Sequence, residues 1–89
     1  MNKLEEARKI INEIDEKMLH LFEERMHASK MVAEYKKENG LPVFDGKREQ
    51  EIISNHLELL KDKKLAMYYL TFFDGVLTSS KDYQKDLLK

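Results

Sequence analysis

Residues 4–40, LEEARKIINEIDEKMLHLFEERMHASKMVAEYKKENG, decide the architecture. Within them Leu4, Ala7, Ile11, Ile14, Met18, Leu21, Arg25, Ala28, Val32 and Tyr35 recur at alternating steps of three and four, and no proline or glycine intervenes before Gly40. That spacing keeps one face of a helix apolar. A single helix is therefore expected over about residues 4–38, roughly 50 Å long at 1.5 Å per residue. Asn39-Gly40-Leu41-Pro42 ends it, because the glycine can take a left-handed cap and the proline cannot continue a helix.

Outward from this segment, a second helix is expected over about residues 45–60, with Arg48, Glu49, Ile52, Ile53, His56, Leu57 and Leu60 on its inward side. Lys61-Asp62-Lys63-Lys64 reads as a solvated turn. A third helix, over about residues 64–88, carries Ala66, Tyr69, Leu70, Phe73, Val76 and Leu77, then Ser80 and Gln84 on the same stripe before Leu87 and Leu88. Gly75 within it points to a close approach by another backbone. The expected fold is all-α, with one long helix and two shorter ones in a single domain spanning residues 1–89. The long stripe exceeds what two shorter helices can cover, so an intertwined antiparallel homodimeric bundle is expected.

Composition narrows the chemistry. Eighty-nine residues suffice for one small core. The chain has no cysteine, which removes disulfides and thiolate metal sites and suits a reducing cytoplasm. His20, His27 and His56 lack the i, i+4 spacing of paired ligands, so no metal is expected, and no cofactor. The segment Met1 to Glu6 is polar and no apolar run nears the roughly 20 residues of a membrane span, so a soluble protein without a membrane partner is expected. A net charge of −1 offers no global field for nucleic acid. No glycine-rich phosphate loop or nucleophile elbow is present. The methionines and aromatics fall largely at core spacing, and packing is their expected role.

What remains is a set of polar groups on apolar stripes. Only Arg8, Arg25 and Arg48 are arginine among sixteen basic residues. The planar guanidinium fork suits carboxylates, and a cation on an apolar stripe needs an anion. Arg25 and Lys36, three turns apart, share nearly one face. Asp45, Arg48 and Glu49 lie at i, i+3 and i+4, and Ser80 and Gln84 one turn apart. Each has a plainer reading: Arg25 a structural ion pair, Lys36 a complement to the helix dipole, Asp45 an N-cap, Arg48 and Glu49 solvated groups, Ser80 and Gln84 interhelical hydrogen bonds. Their coincidence on three helices favours a ligand. The seventeen residues between Arg8 and Arg25 amount to about 25 Å of helix, so Arg8 can reach such a pocket only from a second copy of the chain.

In Ile14-Asp15-Glu16-Lys17, Glu24-Arg25, Val32-Ala33-Glu34-Tyr35-Lys36, Pro42-Val43-Phe44-Asp45-Gly46-Lys47-Arg48-Glu49, and Ser80 with Gln84, the chain resembles the all-helical class of chorismate mutases over essentially its whole length. The resemblance implies an isomerase that converts chorismate to prephenate on the route to phenylalanine and tyrosine, working as a homodimer. It implies that Arg25 and the other chain's Arg8 hold the two substrate carboxylates. Lys36 and Gln84 would then hydrogen-bond the ether oxygen of the breaking bond. Asp45, Glu49 and Ser80 would line the ring side, with Arg48 organising the carboxylates around it. Gly46, just after Asp45, is expected to loosen the start of the second helix. Isochorismate-pyruvate lyase on the same scaffold, and a non-catalytic dimeric metabolite-binding module, are the alternatives.

Overall fold

A computed structural model describes residues 2–89; Met1, where the expected domain begins, lies outside the described residues. Helix α1 runs Lys3–Glu38, α2 Gly46–Leu59 and α3 Ala66–Leu87, with a 3-10 turn at Lys63–Leu65 leading into α3. There is no strand among the described residues.

Local chemistry accounts for each boundary. The Asn2 side chain accepts from the Glu5 amide at 2.9 Å, and Glu5 and Glu6 put negative charge on the first turn of α1. At the other end Gly40 has φ +62°, the Leu41 amide donates to the Lys36 carbonyl at 2.8 Å, and the Gly40 amide faces the Lys37 carbonyl at 3.5 Å. This is the paired cap that a left-handed residue permits. Asp45 caps α2 by accepting from the Arg48 amide at 3.1 Å. Lys63 is more than a solvated turn residue: its ammonium donates to the carbonyls of Leu57 and Glu58, the latter at 3.0 Å, and closes the C-terminus of α2.

The long helix packs on α3 through small residues. Ser29 and Ala33, one turn apart and both buried, let the backbones of α1 and α3 draw close, and Phe73 and Leu77 complete the seam. This seam is rotated by about one residue from the apolar stripe of α1. Ile11, Ile14, Met18 and Leu21 are all more than a third exposed, with Leu21 at 60%. The expected packing role of the methionines and aromatics is met by Phe73 and in part by Met26, Tyr69 and Tyr83, whereas Met31, Met67, Tyr68 and Phe72 are exposed. At Gly75 a side-chain carbon would meet nothing within 4 Å among the described residues, so the close approach expected there is not made by a backbone of the same chain.

The result is elongated. The chain measures 55 × 25 × 15 Å with a radius of gyration of 16.3 Å, against about 12 Å for a compact domain of this length. It exposes 7518 Å², where a folded monomer of its size exposes about 5,500 Å². Roughly 2,000 Å² of surface has no counterpart within the chain.

Candidate active site

The three helices meet around one cleft of about 310 Å³, open on one side. Ala28, Val32, Ile52 and Leu77 supply apolar walls. Arg25 and Lys36 enter from α1, and Asp45, Arg48 and Glu49 from the start of α2. Ser80 and Gln84 close the floor from α3, with both side chains buried. Seven of the eight residues singled out above thus surround one space. Arg8 does not: it is exposed far along α1.

Arg25 is half-buried, its guanidinium 5.7 Å from the centre of the Phe73 ring. It forms no ion pair among the described residues, so the plain structural role is not filled by a carboxylate of its own chain. Phe73 is itself braced by the edge of His56, 4.7 Å between ring centres. His56 Nδ1 lies 2.5 Å from the Tyr69 hydroxyl. Burial raises the Tyr69 phenol above its ordinary value against an opposing pull from Arg25, so the phenol keeps its proton beside the imidazole. Lys36 donates to the Val43 carbonyl at 2.7 Å, which ties α1 to the loop before α2 and leaves two ammonium protons for a ligand.

Two expectations about α2 need correction. Arg48 makes no ion pair with Asp45 or Glu49; Lys81 takes that role, its ammonium 3.2 Å from a Glu49 carboxylate oxygen and 5.2 Å from the centre of the Phe44 ring. Nor does Gly46 merely loosen the helix. A side-chain carbon at Gly46 would sit 3.1 Å from the Phe44 ring, so the glycine leaves room for that ring under Lys81.

The pattern on the stripes did not point to Ser29 or Lys81. Ser29 Oγ lies 2.6 Å from Ser80 Oγ and accepts from Gln84 Nε2 at 2.9 Å. The spacing of Ser29 and Ala33, two small residues one turn apart, was the available signal for a close helix crossing. Lys81 follows Ser80 directly and looks solvated unless the turn of α3 relative to α2 is known.

With Lys81 included, four cationic and two carboxylate side chains line the cleft, a net formal charge of +2. The arrangement suits a small dianion with an apolar body. No serine or lysine here has a neighbouring base positioned to make it a nucleophile, so the chemistry it supports is binding and charge stabilisation.

The chain matches the family described as Chorismate mutase type II over residues 7–85. The chain belongs to the type II chorismate mutase family. Chorismate mutase activity, an isomerisation, follows from that membership. A chorismate mutase of Methanocaldococcus jannaschii is 36% identical over 90 aligned residues, covering 100% of this chain and 91% of that protein. A bifunctional chorismate mutase/prephenate dehydratase of Aquifex aeolicus is 40% identical over 62 residues, covering 70% of this chain and 17% of that protein. No solved structure gives a significant match. These chorismate mutase matches favour neither the lyase nor the metabolite-binding module. Among the described residues no helix is long and apolar enough to cross a membrane.

Proposed function

We propose that this cleft rearranges chorismate to prephenate with Arg25 and the partner's Arg8 clamping the two carboxylates, Lys36 and Gln84 facing the ether oxygen, and Asp45, Arg48, Glu49 and Ser80 shaping the ring side. The observation that carries it is the convergence of Arg25, Lys36, Arg48 and Gln84 on one apolar-walled cleft.

The [3,3] rearrangement breaks one C–O bond as a C–C bond forms, within one molecule. No proton or leaving group has to depart. Two demands remain: holding a flexible dianion in its compact conformer, and stabilising negative charge that grows on the ether oxygen. Guanidinium groups on two carboxylates meet the first. The two ammonium protons of Lys36 not engaged by Val43, together with an amide N–H of Gln84, meet the second.

The second copy is supported by area. About 2,000 Å² of excess surface per chain gives about 4,000 Å² for a pair, within the range of obligate dimers. The exposed stripe of α1 carries Ile11, Ile14, Met18 and Leu21 beside Arg8. An antiparallel partner covering that stripe brings its own Arg8 along the helix toward the cleft. A cytoplasmic setting suits the cysteine-free composition.

The purified chain should deplete chorismate and accumulate prephenate, and release no pyruvate from isochorismate. Pyruvate release without prephenate formation would assign the cleft to the lyase instead.

A further inference from the structure

The seam between α1 and α3 has a polar centre in which Ser29, which has no place among the proposed substrate contacts, meets Ser80 and Gln84, which have one. Ser29 is 5% exposed, Ser80 9% and Gln84 7%. Gln84 Nε2 donates to Ser29 Oγ at 2.9 Å and reaches Ser80 Oγ at 3.4 Å, while the two hydroxyls stand 2.6 Å apart and Ser29 Oγ lies 3.5 Å from the Ser80 carbonyl. Gln84 Oε1 is buried with no hydrogen-bond partner among the described residues.

We infer that Ser29 is a positioning residue whose hydroxyl supplies the donor that lets the Gln84 amide turn its N–H end to the cleft. The inference rests on the reading of the cleft given above. An ether oxygen carries lone pairs only, so it takes a hydrogen bond from Nε2 and has nothing to give Oε1. The productive amide is therefore turned by half a revolution from the arrangement with Nε2 on the serines. A turned amide brings its carbonyl oxygen to Ser29, and an amide oxygen buried there needs a donor.

Ser29 can serve both arrangements, because a hydroxyl both accepts and donates. In the first, Ser29 Oγ accepts from Gln84 Nε2 and its proton goes to Ser80. In the second the direction reverses: the Ser80 hydroxyl donates to Ser29 Oγ, and the Ser29 hydroxyl donates to Gln84 Oε1. Every group is then satisfied, and the amide N–H atoms point toward the substrate. Alanine at position 29 removes the donor and leaves the turned carbonyl unsatisfied.

Ser29→Ala removes one oxygen and keeps the small side chain that the helix crossing needs, so helicity by circular dichroism should be retained. We expect kcat to fall about tenfold, the worth of one buried hydrogen bond, with KM within about twofold, since Ser29 contacts the amide and not the substrate carboxylates.

A second readout separates positioning from packing. In Gln84→Glu the introduced carboxyl donates to the ether oxygen only when protonated, so activity falls as pH rises through its pKa. A hydroxyl donating to the ionised form lowers that pKa. Adding Ser29→Ala to Gln84→Glu should move the midpoint up by about half a pH unit or more. Arg25 and Lys36 from α1, Asp45, Arg48 and Glu49 from α2, and Lys81 from α3 face the same space in both variants, so their influence is common. Ser29→Ala with kcat within twofold of the unaltered enzyme, or a double variant whose midpoint does not move, overturns the inference. Absence of any turnover by the unaltered chain removes the reading of the cleft, and this inference with it.

Discussion

Lys81 Nζ stands 3.2 Å from a carboxylate oxygen of Glu49, so a residue of α3 holds the first turn of α2 across the mouth of the cleft. Both side chains are about a quarter exposed, a setting in which an ion pair stabilises a fold by less than about 1 kcal/mol. The pair therefore matters more to ligand charge than to folding. Lys81→Met keeps an apolar stem over Phe44 and lowers the formal charge of the cleft by one. Steady-state kinetics should show KM for chorismate rising about five- to tenfold, with the melting temperature little changed. An unchanged KM would place Lys81 outside the substrate's field.

The two donors proposed for the ether oxygen should behave differently from Lys81. Lys36→Ala and Gln84→Ala are each expected to lose about 10²–10³ in kcat, the usual effect of removing a donor aimed at developing charge. Circular dichroism should show both variants still helical. Near-normal turnover in both would sink the assignment of these residues.

Activity should change little between about pH 5 and 8, because a glutamine donates at any pH and needs no protonation. An optimum confined to acid would contradict the role given to Gln84. Tyr69 acts at the alkaline end. Its folded-state pKa is raised by burial, so the stability it contributes is full below the ordinary phenol value of about 10 and is lost as pH climbs through the raised value. Alkaline unfolding followed by circular dichroism, with Tyr69→Phe flattening that loss, is the check.

Oligomerisation and folding should be inseparable. Among the described residues the buried apolar set is Ala33, Phe73 and Leu77, too few to hold 89 residues by themselves. Melting temperature should therefore rise with protein concentration. Ile14→Asp, which puts a charge on the exposed stripe of α1, should lower helicity at micromolar concentration. A folded monomer of Ile14→Asp by sedimentation would show that the stripe needs no cover.

The fold was legible to the extent that it is local. Alternating steps of three and four in α1, the Gly40 cap and the proline after it act within a few residues, and each can be read without knowing the neighbours. The stripe of α1 was harder, because two different surfaces share one helix. The apolar series through Ile11, Ile14 and Val32 is not the seam to α3, which runs through Ser29 and Ala33 where small size matters more than hydropathy. Gly75 shows the same difficulty from the other side, since among the described residues nothing comes within 4 Å of a side-chain carbon built there. In the cleft, Arg25, Lys36, Glu49, Ser80 and Gln84 stood out as polar groups on apolar stripes. Lys81 did not, because lysines on an exposed face look alike until the packing of α2 on α3 turns one of them onto Glu49.

Complementation between two inactive variants tests most directly whether one cleft is built from two chains. Arg25→Ala lacks the clamp contributed within the chain, and Arg8→Ala lacks the one contributed to the other chain, so each alone should be nearly inactive. When the two are unfolded together and refolded as an equal mixture, half of the dimers are mixed, and each mixed dimer holds one cleft with both arginines and one with neither. The account predicts recovery to about one quarter of the unaltered activity. A mixture no more active than the separate variants, with mixed dimers shown to be present, would contradict it.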